Sequence, residues 1–238
     1  MYLTGKIAIV TGASSGLGLS MCKKLIEKGT IVYGLARNKT ALEKLREWAG
    51  DRFHPVILDI TNSDAVTNWV DMKFHAGNIP DILINNAGIG YFGKVEDISL
   101  EQWDRMLQTN LSGIFYLTRK AVPLMKQSQN SSHIINIASV AGLVGNPQIS
   151  GYNATKFGLR GFSEALFKEL RYDNIKVSVI FPGSVATPFF DKTDIQSHKN
   201  MLQPEDVADT VIHLLETPDN FLISEITVRP LNPNAPDS

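Results

Sequence analysis

Tyr152 and Lys156 stand four residues apart in a chain of 238 residues, and on a helix that spacing puts both side chains on one face. Taken alone, such a pair is commonplace. Ser139 lies thirteen residues before the tyrosine, just past an apolar run that ends at Ala138. The three residue types together suit one kind of chemistry. A tyrosine titrates at about 10, too high for efficient proton exchange at neutral pH. A nearby ammonium favours the phenolate and lowers that value. A serine hydroxyl can hold a substrate oxygen while charge develops on it. The group is therefore suited to proton transfer at a carbonyl or alcohol oxygen.

A second group lies near the start of the chain. Thr11-Gly12-Ala13-Ser14-Ser15-Gly16-Leu17-Gly18 follows an apolar run at 6–10 and opens a segment of helical spacing at 16–28. Glycines permit a tight turn and close backbone approach, while a helix N-terminus offers N–H donors and a positive dipole end to a pyrophosphate. The spacing is G-x-x-x-G-x-G rather than G-x-G-x-x-G, and by itself it reads equally as a structural turn. At the end of the next strand the run is Leu35-Ala36-Arg37-Asn38. An enzyme choosing NAD usually places an acid there for the ribose hydroxyls. Here Arg37 can fork onto a 2′-phosphate and Ser14 can add a second bond, so NADP(H) is the expected cofactor. The plainer alternative is that Arg37 is a solvated loop charge.

These groups need elements to position them. Short apolar runs predict strands at 6–10, 30–36, 53–60, 81–85, 133–138, 176–181 and 224–228. Helical spacing falls at 16–28, 39–49, 99–126, 152–172 and 204–215, with polar caps for a further helix after Asp59. Pro123 should bend the long helix or fall near its end. The alternation implies an α/β, single-domain Rossmann fold: a doubly wound, mostly parallel sheet of about seven strands with helices on both faces. Ligands of such sheets bind beyond the carboxyl ends of the strands, where both groups fall. A polar segment at about 187–203 reads as a substrate lid, and proline-rich residues 231–238 as a frayed tail. Trp48, Trp69 and Trp103 sit at apolar helix positions and are expected to pack.

At this length roughly 70–75% of the unfolded surface can be buried, so no staples are needed. A formal net charge of −1 offers no general attraction to nucleic acid or anionic membranes. The single cysteine, Cys22, reads as a small buried side chain, and one thiol makes no internal disulfide. The N-terminus lacks a signal-peptide core, and no apolar run approaches a membrane span, so a cytoplasmic protein is expected. His54, His75, His133, His198 and His213 are scattered without metal-ligand spacing, so no metal is expected. His198, in the lid segment, could meet substrate, although a solvated loop position is the plainer reading.

Taken together, Thr11–Gly18, Asp59, Asn85-Asn86-Ala87-Gly88, Asn110, Ser139, Tyr152-Asn153-Ala154-Thr155-Lys156, Pro182-Gly183 and Thr187 resemble the short-chain dehydrogenase/reductases. The resemblance runs from about residue 6 to residue 229. It implies that Tyr152 is the general acid in reduction and the base in oxidation. Lys156 would bind the nicotinamide ribose and lower the tyrosine pKa, Ser139 would orient the carbonyl, and Asn110 would hold a water linking Lys156 to solvent. Gly12, Ser14, Ser15, Gly16, Leu17 and Gly18 would line the pyrophosphate, with Arg37 and Asn38 at the adenosine ribose. Asp59 and Ile60 would contact adenine, and Asn86, Ala87 and Gly88 would border the ribose. Pro182, Gly183, Val185 and Thr187 would cover the nicotinamide amide. Without the resemblance, Asn110 reads as a helix-interior amide and Asp59 as a cap.

The loop after Ser139 is apolar with one amide, and Gln148, Phe189 and Phe190 could line a pocket for a mid-sized carbonyl compound. The phenylalanines could equally pack the lid against the body. The C-terminal strand region 223–230 and the internal segment 88–93 resemble the sepiapterin-reductase-like and hydroxy-acid-dehydrogenase-like branches. The function expected is NADPH-dependent reduction of a small or mid-sized carbonyl to an alcohol. One alternative is a 3-oxoacyl-carrier-protein reductase, which would call for a basic patch. Another is a nucleotide-binding sensor without turnover. By resemblance, association into a homodimer or homotetramer through 99–126 and 152–172 is implied.

Overall fold

The computed structural model describes residues 1–191 and 197–235. Parts of the expected lid and tail, 192–196 and 236–238, lie outside the described residues. The strands are β1 (Ile7–Thr11), β2 (Ile31–Ala36), β3 (Phe53–Ile57), β4 (Ile82–Asn85), β5 (Ser132–Ile137), β6 (Ile175–Pro182) and β7 (Glu225–Val228). They form one sheet of seven strands in the order β3-β2-β1-β4-β5-β6-β7, and every pairing is parallel. From β1 the chain builds outward through β2 and β3, then returns to add β4 on the other side. That reversal opens a crevice beyond the ends of β1 and β4.

Helices α1 (Gly16–Glu27), α2 (Lys39–Ala49), α3 (Ser63–Lys73), α4 (Leu100–Leu107), α5 (Gly113–Met125), α6 (Ser150–Leu170) and α7 (Pro204–Glu216) cover both faces. Alternation along the strands divides the core. Ala8, Val10, Val32, Ile82 and Ile84 meet α1, α2 and α7 on one face. Ile9, Leu35 and Leu83 meet α3, α5 and α6 on the other. Local chemistry sets the boundaries. Asn38 and Asn62 cap α2 and α3 by accepting from Ala41 and Ala65 amides, and Ser99 with Gln102 forms a capping box on α4.

The spacing predicts one helix over 99–126, but a π turn at Gln108–Ser112 separates α4 from α5. Pro123 falls in the last turn of α5, where the helix is about to end. The third strand stops at Ile57 rather than at residue 60, because Asp59 turns its carboxylate onto the Thr61 amide. Its Pro55 is tolerated on an edge strand. Trp69 packs into the core as expected. Trp48 and Trp103 are 53% and 39% exposed, a correction to the packing expected of all three. Trp48 lies instead beneath the Lys23 ammonium, 5.8 Å from its ring centre. No helix among the described residues is long and apolar enough to cross a membrane.

Candidate active site

Ser139, Tyr152 and Lys156 converge just beyond the end of β5. Ser139 follows that strand and its Oγ accepts the Ala141 amide at 3.1 Å, capping a short 3-10 turn at Val140–Gly142. Tyr152 and Lys156 lie in the first two turns of α6. The chain brings α6 close: a Cβ at Gly142 would stand 2.7 Å from the Lys156 carbonyl oxygen. Asn153 holds the intervening loop, donating to the Ala141 and Val144 carbonyls at 2.6 and 2.9 Å. Its side-chain Oδ1 accepts the Asn146 amide at 3.1 Å.

Lys156 is buried and its Nζ donates to the Ile137 carbonyl at 2.9 Å. Burial pushes it down to about 8. The ammonium lies 5.6 Å from the Tyr152 ring centre. Burial pushes the Tyr152 phenol up to about 12, partly offset by a hydrogen bond with Ser139. Desolvation thus drives both groups toward their neutral forms. The phenol is covered by aromatic rings. Phe92 and Phe189 have centres 6.0 and 5.6 Å from that of Tyr152. Gly90 leaves room for them, since a Cβ there would meet both rings at 2.9 Å.

Asn110 reaches the site because of the π turn. It is fully buried, and its amide clamps the Ile89 peptide by accepting from N at 2.8 Å and donating to O at 2.8 Å. It also donates to Thr155 Oγ1 at 3.0 Å, and Thr155 in turn donates to the Tyr152 carbonyl at 2.8 Å. One amide thereby ties the strand β4 loop to helix α6. A Cβ at Gly88 would stand 3.4 Å from Asn110 Oδ1 and 3.6 Å from Lys156 Nζ. Gly88, Asn110 and Lys156 therefore border one space.

The glycine loop joins this crevice. Gly12 and Gly16 have φ of +71° and +50°, a region where side chains are strained. A Cβ at Gly18 would fall 2.1 Å from the Gly12 carbonyl oxygen. Thr11 Oγ1 accepts the Asn86 and Ala87 amides at 2.9 Å each, and Asn86 Nδ2 donates to the Thr11 carbonyl at 2.9 Å. Ser15 caps α1 without a side-chain bond, and the first turn holds no acid. Its first N–H groups, with Ser14 and Leu17 beside them, make a cradle that fits the pyrophosphate of a dinucleotide.

The remaining expected contacts rim the crevice. Arg37 follows β2 and pairs with Asp59 across 3.6 Å. Asn38 is committed to capping α2. Ile60 places its side chain in the core, against Gly113. Pro182 ends β6, and the Gly183 amide donates to Val228 at 2.7 Å. Val185 forms a bridge with Leu202 at the root of the lid. Thr187 lies over the loop, 3.2 Å from where a Gly16 Cβ would be. Phe190 stacks edge-on to Phe189, with centres 5.4 Å apart. Gln148 is exposed in a left-handed conformation, φ +65°, and its carbonyl accepts the Gly93 amide at 2.7 Å. That bond ties the two loops flanking the crevice. Phe92 and Thr155 carry no signal in the sequence that would assign these roles, because both depend on contacts with distant segments.

A family model described as short chain dehydrogenase matches residues 6–198. An uncharacterized oxidoreductase of Staphylococcus epidermidis is 35% identical over 228 residues, 95% of this chain and 97% of that protein. One from Staphylococcus aureus is 36% identical over 233 residues, 96% of this chain and 99% of that protein. Among solved structures, the closed form of serine dehydrogenase complexed with NADP+ superposes with a TM-score of 0.86. It is 30% identical and covers 94% of both chains. A 3-ketoacyl-(acyl-carrier-protein) reductase from Brucella melitensis complexed with NADH gives 0.85 at 30% identity, covering 95% of this chain and 97% of that one. The glycine loop, the Ser139–Tyr152–Lys156 group and these matches agree, and the chain belongs to the short-chain dehydrogenase family of oxidoreductases.

Proposed function

We propose that this oxidoreductase reduces a small or mid-sized carbonyl compound to an alcohol with NADPH, reversibly. The observation that carries the reading is the convergence of Ser139, Tyr152 and Lys156 in one desolvated crevice beside the dinucleotide cradle. The nicotinamide, when bound, supplies or accepts the hydride. Ser139 holds the substrate oxygen by its hydroxyl. Tyr152 delivers its phenolic proton to that oxygen in reduction and takes it back in oxidation. Lys156, anchored on the Ile137 carbonyl, offers positive charge to the phenolate and a bond to the nicotinamide ribose. Asn110 fixes the Ile89 peptide beside Lys156, where a water would complete a proton path to solvent. Gln148 and Phe189 flank the substrate.

The NADPH preference is supported by Arg37 beyond β2 and by the neutral Ala36 where NAD enzymes carry an acid. A panel of ketones, aldehydes, hydroxy acids and acyl thioesters should be run with NADPH and NADH side by side. Turnover is expected with NADPH, and Arg37→Ala should weaken NADPH binding about tenfold or more with NADH little changed. Equal effects on the two cofactors would remove Arg37 from the reading. A second reading, reduction of a carrier-bound 3-oxoacyl chain, is favoured by the likeness to a ketoacyl reductase. Activity on the acyl thioester but on no free ketone would select it.

Association into a homodimer or homotetramer is supported by the outer face of α5 and α6. Leu111, Phe115, Tyr116 and Phe162 line a shallow apolar groove there, and Phe115 and Phe157 are 49% and 43% exposed. A second copy packed on this face would cover it. Light scattering is expected to give the mass of a homodimer or homotetramer, and a monomer mass at micromolar concentration would count against it.

A further inference from the structure

Arg37 already has a partner with which a 2′-phosphate would have to share it. The parallel register that sets Ala36 beside Ile57 brings the residues following β2 and β3 together. The Arg37 guanidinium lies 3.6 Å from Oδ2 of Asp59. That carboxylate is fixed from its other side, where Oδ1 accepts the Thr61 amide at 3.0 Å and the Thr61 hydroxyl at 2.8 Å. Asp59 therefore stays in place when the guanidinium turns to another anion.

Two effects of the carboxylate oppose each other. It orients the arginine, which would help a phosphate bind. It also carries a negative charge close to where the phosphate must sit. The Arg37 and Asp59 side chains are 68% and 42% exposed, and an exposed pair orients its members only weakly. The repulsion is the larger effect, because a phosphate brings nearly two charges within one Debye length, about 8 Å at physiological ionic strength.

We propose that Asp59 is a specificity-determining residue that works against Arg37, so that the preference for NADPH over NADH is a difference between the two. The inference rests on the NADPH reading above. An adenine contact by Asp59 would be common to both cofactors, so the ratio of their dissociation constants isolates the effect on the 2′-phosphate.

Titrating both cofactors by nicotinamide fluorescence tests the proposal without turnover. Asp59→Asn, which keeps an oxygen to accept from Thr61, is expected to raise the NADPH preference about threefold to tenfold. Arg37→Ala lowers it, and the double variant falls between the two. In about 1 M salt, where the Debye length is about 3 Å, the gain from Asp59→Asn should shrink. A preference unchanged or reduced in Asp59→Asn, or a gain indifferent to salt, overturns the proposal while the NADPH reading stands. An unchanged preference in Arg37→Ala removes Arg37 from the NADPH reading, and NADH binding as tight as NADPH in the unaltered chain overturns that reading itself. Thermal melting confirms that each variant is folded.

Discussion

Tyr152→Phe is expected to lower turnover by more than about 100-fold while leaving the dinucleotide bound, because it deletes the transferable proton and little else. The ring would keep its packing against Phe92 and Phe189, so neither fold nor crevice should change. Rate and cofactor affinity must therefore be measured on the same variant. Normal turnover would remove the tyrosine from the mechanism, and lost cofactor binding would show that the substitution disturbs more than a proton. The pH profile carries a second, independent signature. Reduction needs the phenol protonated, and burial keeps it so throughout the neutral range, with a value of about 12. Lys156, pushed down to about 8 by burial, loses its charge as pH rises past that value. The phenolate formed on proton delivery then has no countercharge. Reduction should be level through neutral pH and fall above about 8, and a profile level across the alkaline range would contradict this role for Lys156.

Gly18→Ala carries the other large effect, this time on binding and stability together. The new Cβ would stand 2.1 Å from the Gly12 carbonyl oxygen, 2.6 Å from its carbon and 2.7 Å from Asn86 Nδ2. None of these can retreat cheaply. The Gly12 amide is bonded to Leu35 at 2.9 Å, and Asn86 is held on the Thr11 carbonyl. Helix α1 must shift away from the loop, which opens the cradle. Such overpacking costs about 1–3 kcal/mol, or roughly 2–12 °C in Tm for a chain of this size. Dinucleotide affinity should fall by at least about 100-fold, since the N–H groups no longer converge. Gly77→Ala, in the exposed turn before β4 where a Cβ would meet only the His75 ring at an ordinary 3.5 Å, is the control. It should leave the affinity intact and hold or slightly raise Tm. Equal losses in the two variants would refute the argument from close approach.

The convergence of Ser139, Tyr152 and Lys156 was readable because their spacing is a property of one helix and one strand end. The α2 limits, 39–49, follow from Asn38 and a clean helical period. What the sequence hides is contact between segments. The Arg37–Asp59 pair depends on the register of two strands. Phe92 covers Tyr152 only because Gly90 lets the chain approach. The early end of β3 comes from one side chain bonding its own backbone at Thr61, which competes with the apolar run that reads as strand to residue 60. Trp48 shows the reverse case, an apolar helix position left half exposed beneath the Lys23 ammonium rather than taken into the core.

The π turn at Gln108–Ser112 amounts to one residue more than a regular helix would accommodate, and Asn110 lies within it. Alignment to an unbroken helix would therefore assign residues on one side of the turn to the wrong face. A single-residue deletion there would give a regular helix with the residues on either side still in phase, and would remove the widened turn that presents Asn110. Local regularity and a working site are thus alternatives in this segment, and the chain retains the irregular one where an amide must reach from the helix to the Ile89 peptide.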